Sequence, residues 1–392
     1  MLNRRILRIK AMQALYAHVT NRESLKRVVK DGLVETFTPN ALTHDMSDTF
    51  EIDEHRKIAK VLYDENLEEG SLKSKPASTP DEVADEVRKA IANYYGEVSR
   101  NLKSVRKAML TQTKELQNTY HKFLLLPSEF QFIEKQDQEK KETALINKEE
   151  TWFYHLQANP LIEAITTTRA LQKEVTAKNL SWQEDVATLR TWYKDLLKKD
   201  ESWIAYQKNP KPTPEDHLAI LKRLFKKILF SNETINAYWE EKDIHWSENS
   251  GILRSMLVKT IQDFNAEAEE PIQLKTISLN EEDDFEFFEV IFDTAVDQET
   301  YFETLITEKT KNWDISRLAK IDVVIIKMAL GEMIACRSIP VKVTINEYIE
   351  ICKLYSTPKS KQFVNGILDV LANQLTSEGV IRKTGRGLID NH

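Results

Sequence analysis

The residues best placed to do chemistry in this chain of 392 amino acids are cations set at helix starts. At the N-terminus, N-R-R-I-L-R-I-K-A-M-Q-A-L-Y-A-H puts Arg4 and Arg8 one turn apart on one helical face, with Arg5 joining Arg8 at i, i+3. Cations in a first turn oppose the helix macrodipole by about 0.3–1 kcal/mol each, a cost an anionic partner would relieve. Pairing with acidic residues elsewhere in the chain would relieve it too. Near the C-terminus, S-T-P-K-S-K-Q-F gathers Thr357, Lys359, Ser360 and Lys361 around another helix start, where unpaired N–H groups attract anions. Tyr16, Tyr355 and Phe363 offer rings that can stack on unpaired bases, with core packing the competing use for Phe363. Cations that neutralise phosphates, with rings that stack, are the means of RNA binding.

Signs of catalysis are missing. There is no G-x-G-x-x-G, no G-x-x-x-x-G-K-[ST], no H-E-x-x-H and no G-x-S-x-G. The eight histidines are scattered without ligand spacing, so neither a metal nor a cofactor is expected. Cys336 and Cys352 make no C-x-x-C and sit by apolar helical patterns, as reduced thiols of a cytoplasmic protein do. The chain reads as a non-enzyme. No apolar run nears the roughly 18 residues that span a bilayer, so no membrane is expected.

Charge is distributed unevenly. The whole carries −7, yet residues 1–22 carry +5 and residues 311–392 carry +4, leaving −16 on the 288 residues between. A basic N-terminus and C-terminus around an acidic middle can mark a polyanion-binding face.

Few glycines (9) and prolines (11) point to a mostly helical protein. Three C-terminal helices have their own punctuation. The first, about 315–335, is apolar nearly all round, with Leu318, Ile321, Val324, Ile325, Met328 and Met333 on one side, which predicts a buried central helix. The second is expected to start with Thr344 as N-cap, Glu347 closing a capping box, and Val343 with Tyr348 as a hydrophobic staple. The third is expected to start with Thr357 as N-cap and Pro358 at the first position. Gly366 inside it suggests a close helix–helix approach. Asn346 and Asn365 suggest hydrogen bonds across helices.

Upstream, a helix is expected over about 3–18, followed by irregular chain with short helical patterns at 24–30 and 53–63 and a loop at 65–78. Thr79-Pro80-Asp81-Glu82 opens a long helix to about 126, and Gln136–Glu150 reads as a solvated connector. Asn159-Pro160 and Thr213-Pro214-Glu215-Asp216 open further helices, and the six tryptophans from Trp152 to Trp246 read as packing residues. Residues 281–310, rich in phenylalanine, return to the bundle.

I-D-x-x-I-I-x-x-A-x-x-E, then I-P-x-x-V-x-I-N-E-x-I-E, then S-x-x-F-V-N-G-I-L-D resembles the signature of the NusB family of bacterial transcription antitermination factors. R-R-x-x-R-x-x-A-x-Q-x-L-Y resembles the same family's start. That start also argues against reading the basic N-terminus as a mitochondrial presequence. The resemblance implies an all-α, NusB-like helical bundle with a large acidic helical insertion. Residues 1–22 would be the basic N-terminal helix, 23–280 the insertion (with part of 80–126 assignable to the core), 281–376 the C-terminal bundle and 377–392 a basic, flexible tail. It implies binding of single-stranded, boxA-like RNA from ribosomal RNA leaders, with the ribosomal protein NusE, within a transcribing polymerase complex that carries other Nus factors. RNA binding would fall on Arg4, Arg5, Arg8, Lys359, Ser360, Lys361 and Phe363, and the NusE-facing region on Tyr16 and Asp322. Ile6 replaces a basic residue found in some relatives, and Lys359 replaces an acidic one. Two alternatives stay open: an interaction scaffold without RNA binding, and a remnant of the NusB-like accessory domain of certain RNA methyltransferases.

Overall fold

A computed structural model describes residues 4–37, 49–73, 75–143, 152–310 and 319–389. All regular structure among them is helical: α1 (Arg4–Glu35), α2 (Thr49–Asn66), α3 (Asp81–Thr143), α4 (Pro160–Thr167), α5 (Arg169–Lys178), α6 (Val186–Asp195), α7 (Glu201–Lys208), α8 (Pro214–Arg223), α9 (Leu229–Ser231), α10 (Glu233–Lys242), α11 (Trp246–Gln262), α12 (Glu281–Asp297), α13 (Glu299–Lys309), α14 (Lys320–Ala335), α15 (Val341–Tyr355) and α16 (Ser360–Ser377). The chain is all-α, as the sequence implies. Packing divides it into two units: a bundle unit of residues 7–110 and 283–392, and an insertion unit of residues 1–6 and 111–282.

In the bundle unit, α1 runs far beyond the expected end near residue 18. Val29 and Leu33 carry its apolar stripe onward against Leu62 and Tyr63 of α2 and Val83, Val87 and Ile91 of α3, all buried in one cluster. That burial supplies the stability a long helix lacks on propensity alone. That packing puts the division between the two units near residue 111. Helix α14 is the buried centre expected of an all-round apolar helix, with Val324, Ile325, Ile326, Met328, Ala329, Leu330 and Met333 nearly inaccessible. Residues 311–318, including Trp313 and Leu318, lie outside the described residues.

The close approach expected at Gly366 occurs instead at Gly331, where an added Cβ would sit 3.4 Å from Thr294 of α12. Gly366 is exposed, with nothing within 4 Å of such an atom. Asn346 is exposed, and Asn365 bonds Asp369 one turn on, not another helix. The expected flexible tail is held in place as far as residue 389. Thr384 N–H donates to Arg337 O, Ile381 is buried, and a Cβ on Gly387 would lie 2.2 Å from that same carbonyl oxygen.

The insertion unit is built round aromatic rings. Phe123 of α3 stacks on Phe230 (5.1 Å between centroids) and Trp239 (4.9 Å), with Trp182 edge-on. Trp182, Trp192, Trp203 and Trp246 are almost fully buried. The expected starts of α4 and α8 form as read: Asn159 caps α4, and Thr213 with Asp216 makes a complete capping box on α8. Helix α3 passes Pro127 and continues to Thr143, so the connector expected from Gln136 is helical over its first half.

Candidate nucleic-acid interface

Helix α1 sets its first cations in two environments. Arg4 and Arg5 are exposed. Arg8, the next turn on, is 3% exposed and is held by α14. Its Nε donates to Glu332 Oε2 (2.7 Å) and its Nη2 to Glu332 Oε1 (2.6 Å). Glu347 of α15 lies 3.6 Å away, and the rings of Phe287 and Tyr348 flank the guanidinium at 5.2 and 5.9 Å. Burial works to lower the Arg8 pKa, but the hydrogen bonds and charge of Glu332 outweigh it and hold it above the usual value. At 3% exposure the guanidinium is out of reach of a phosphate, and its charge is already met by the buried Glu332 carboxylate. The expectation that Arg8 joins Arg4 and Arg5 on an RNA face is therefore corrected: it anchors α1 to the bundle.

The same pair explains the second helix start. Thr344 is inside α15, and its hydroxyl donates to Glu332 Oε1 at 2.9 Å. Glu347 faces Arg8. The capping box does not form, because both of its residues find a buried charged partner and the helix begins a turn earlier, after Pro340.

The α15–α16 corner is locked from beneath. Ser356 Oγ donates to Asp322 Oδ1 at the start of α14, and Ser360 Oγ lies 2.9 Å from Ser356 Oγ and 2.8 Å from Thr357 Oγ1. Helix α16 starts at Ser360, with Thr357 to Lys359 forming a turn before it, so Pro358 stands outside the helix. Asp322 is 3% exposed and Ser360 7%. Asp322 is thus no surface contact for a partner, and the Ser360 hydroxyl is occupied inside the corner. Above this lock Thr357, Pro358, Lys359, Lys361 and Gln362 are exposed. Neither Lys359 nor Lys361 is held by an acidic side chain among the described residues. Phe363 is half-buried, and Tyr16 on α1 is 39% exposed.

The NusB family model matches residues 251–373, which include α14, α15, the corner and most of α16. The matched NusB-family domain therefore begins within α11 and takes in residues 251–282 of the insertion unit as well as residues of the bundle unit. The chain is 43% identical over 105 residues to the transcription antitermination protein NusB of Chloroherpeton thalassium, covering 27% of this chain and 50% of that protein. It is 39% identical over 104 residues to NusB of Salinibacter ruber, covering 26% and 65%, and 46% identical over 77 residues to NusB of Geobacter sulfurreducens, covering 20% and 56%. The chain thus spans between half and two thirds of the NusB proteins it matches. No solved structure matches it with significance. No group of metal-binding side chains occurs among the described residues, and none of their helices is long and apolar enough to cross a membrane.

What the sequence reading missed at the NusB corner is the buried polar network. Glu332 is the last residue of I-D-x-x-I-I-x-x-A-x-x-E, an acid in the interior of an apolar helix. Such an acid needs a cation, and Arg8 supplies it from 324 residues away.

Proposed function

We propose that the chain is a non-enzymatic transcription antitermination factor that binds single-stranded, boxA-like RNA together with NusE. The observation that carries the reading is the α15–α16 corner of the NusB domain, where Lys359 and Lys361 stand exposed without acidic partners above a rigid Asp322–Ser356–Ser360 lock. Cations on a preorganised turn can take consecutive phosphates without first being freed from ion pairs. Arg4 and Arg5 are proposed as further RNA contacts, and Tyr16 and Phe363 as rings for a partner and for a base. The protein would work in the cytoplasm within a transcribing polymerase complex carrying other Nus factors.

A gel-shift titration with a boxA RNA and a scrambled control, each with and without NusE, tests this. Selective binding strengthened by NusE and weakened by Lys359→Glu/Lys361→Glu is expected. Equal or absent binding to the two RNAs, with NusE present, refutes it and favours the protein-scaffold reading.

A further inference from the structure

The insertion unit holds 25 Lys/Arg against 28 Asp/Glu, a net charge of −3, and two of its segments are free of acids. Residues 217–232 hold Lys222, Arg223, Lys226 and Lys227, and residues 249–262 hold Arg254 and Lys259. The fold brings them together. Helix α8 passes into a π turn at Leu224–Ile228, in which Leu229 N–H bonds Leu224 O five residues back. Such turns are uncommon and gather at functional sites. Here the widened turn keeps Leu224, Phe225 and Ile228 in the core while the adjacent Lys226 and Lys227 both stay exposed. Opposite lies one face of α11, bearing Arg254, Ser255, Val258, Lys259 and Gln262 over about 12 Å of helix. Between them is a cleft of about 440 Å³.

We propose that Lys226, Lys227, Arg254 and Lys259 form a second RNA-backbone site, carried wholly by the insertion unit. No acid lines the cleft, and none of the four cations is engaged by an acidic side chain among the described residues. The neighbouring basic residue Arg223 makes the contrast: it is committed to Asp200 through three hydrogen bonds. Lys227 also borders a cleft containing Asp195 and Asp200, but those acids are paired with Lys199 and Arg223. An acidic protein partner would call for an apolar or aromatic anchor pocket at the centre of its interface. The cleft offers one valine among cations and the polar Ser255 and Gln262, a lining suited to phosphate and sugar oxygens and blind to base sequence.

The test uses the full chain and a labelled oligouridylate, which contains no boxA, so that its outcome is independent of boxA recognition. Affinity is measured against salt for the unaltered chain and for Lys226→Gln/Lys227→Gln/Arg254→Gln/Lys259→Gln, each also in a Lys359→Glu/Lys361→Glu background that silences the α15–α16 corner. Removing the cations for four phosphates of a single strand should lower the slope of log K against log salt by about 3, a roughly 50-fold smaller loss of affinity between 50 and 200 mM salt. An unchanged slope and affinity in both backgrounds overturns the proposal. So does displacement of the RNA from this site by polyglutamate at equal charge concentration, which would mark an acidic protein's site. Should the fourfold variant misfold, ultraviolet crosslinking of the unaltered chain decides: crosslinks in 224–230 or 251–262 are expected, and crosslinks confined elsewhere overturn it.

Discussion

Replacing Arg8 by methionine separates its two possible roles. In the structure Arg8 and Glu332 are 3% and 0% exposed, joined by two hydrogen bonds of 2.6–2.7 Å, with Thr344 adding a third to the same carboxylate. Methionine keeps the packing against Phe287 and Tyr348 but leaves Glu332 charged and buried without its cation, which costs about 3–5 kcal/mol. Removing both charges in Arg8→Met/Glu332→Leu should recover most of that, leaving Thr344 short of one acceptor at about 1 kcal/mol. The double variant should therefore fall within about 2 kcal/mol of the parent. Amide hydrogen exchange in α14 and α15, read with urea unfolding, follows the bundle unit itself. The double variant should also bind boxA RNA about as well as the parent, since every cation proposed to meet phosphate is still in place. The reasoning is refuted if Arg8→Met leaves exchange in α14 unchanged while RNA affinity falls about tenfold and the salt slope drops by about 1, the signature of one phosphate no longer neutralised.

Other outcomes follow from the same structure. Glu299 is drawn in opposite directions: burial raises its pKa, while hydrogen bonds from Arg22 and Lys327 prevail and bring it down to about 2. Its folded pKa lies below the unfolded value near 4.5, so up to about 3 kcal/mol is fully present above pH 4.5 and is lost as pH falls toward 2; Glu299→Gln should flatten that acid limb in unfolding measured against pH. Glu134 in the insertion unit behaves oppositely. Burial raises it to about 8 against hydrogen bonds from Leu156 N–H, Gln207 and Tyr193, so stability falls as pH rises from about 4.5 to 8. Glu134→Gln should raise the melting temperature at pH 8.5 and leave it nearly unchanged at pH 5. Gly366→Ala, at an exposed helix interior with open space around it, should stabilise by up to about 1 kcal/mol in urea unfolding, and a loss of stability would show that the α16 glycine is packed after all.

How legible the chain was depended on the range of each interaction. Helix starts set by residues three apart, such as Thr213 with Asp216 or Asn159 before Pro160, form as read, because cap and recipient lie within one turn. The all-round apolar pattern of α14 likewise implies its burial without reference to any other segment. Readings failed where a polar residue had a distant and stronger partner. Thr344 and Glu347 have the spacing of a capping box, worth about 1 kcal/mol when exposed, but a buried charge pair needing its hydrogen bonds satisfied outweighs it. Arg8 has the helical spacing of Arg4 and Arg5, but Ala11, Met12 and Leu15 continue its face as the buried stripe of α1, and the buried acid it meets lies outside any local pattern.

The same long-range pairing changes what the NusB signature means. Arg8, Asp322, Glu332, Thr344 and Ser360 are all motif or motif-adjacent polar residues, and all five are buried and hydrogen-bonded within the bundle. Each would cost free energy if left unpaired, so each constrains where a neighbouring helix can sit. The Arg8–Glu332–Thr344 set ties α1 to α14 and α15, and the Asp322–Ser356–Ser360 set fixes the turn that displays Lys359 and Lys361. Much of the signature thus specifies a platform. The binding chemistry proposed for it falls on exposed cations whose identity the platform does not dictate. A lysine at position 359 should add to RNA affinity without touching stability, and Lys359→Glu, reversing one exposed charge, should lower the salt slope by about 1 while leaving the unfolding curve in place.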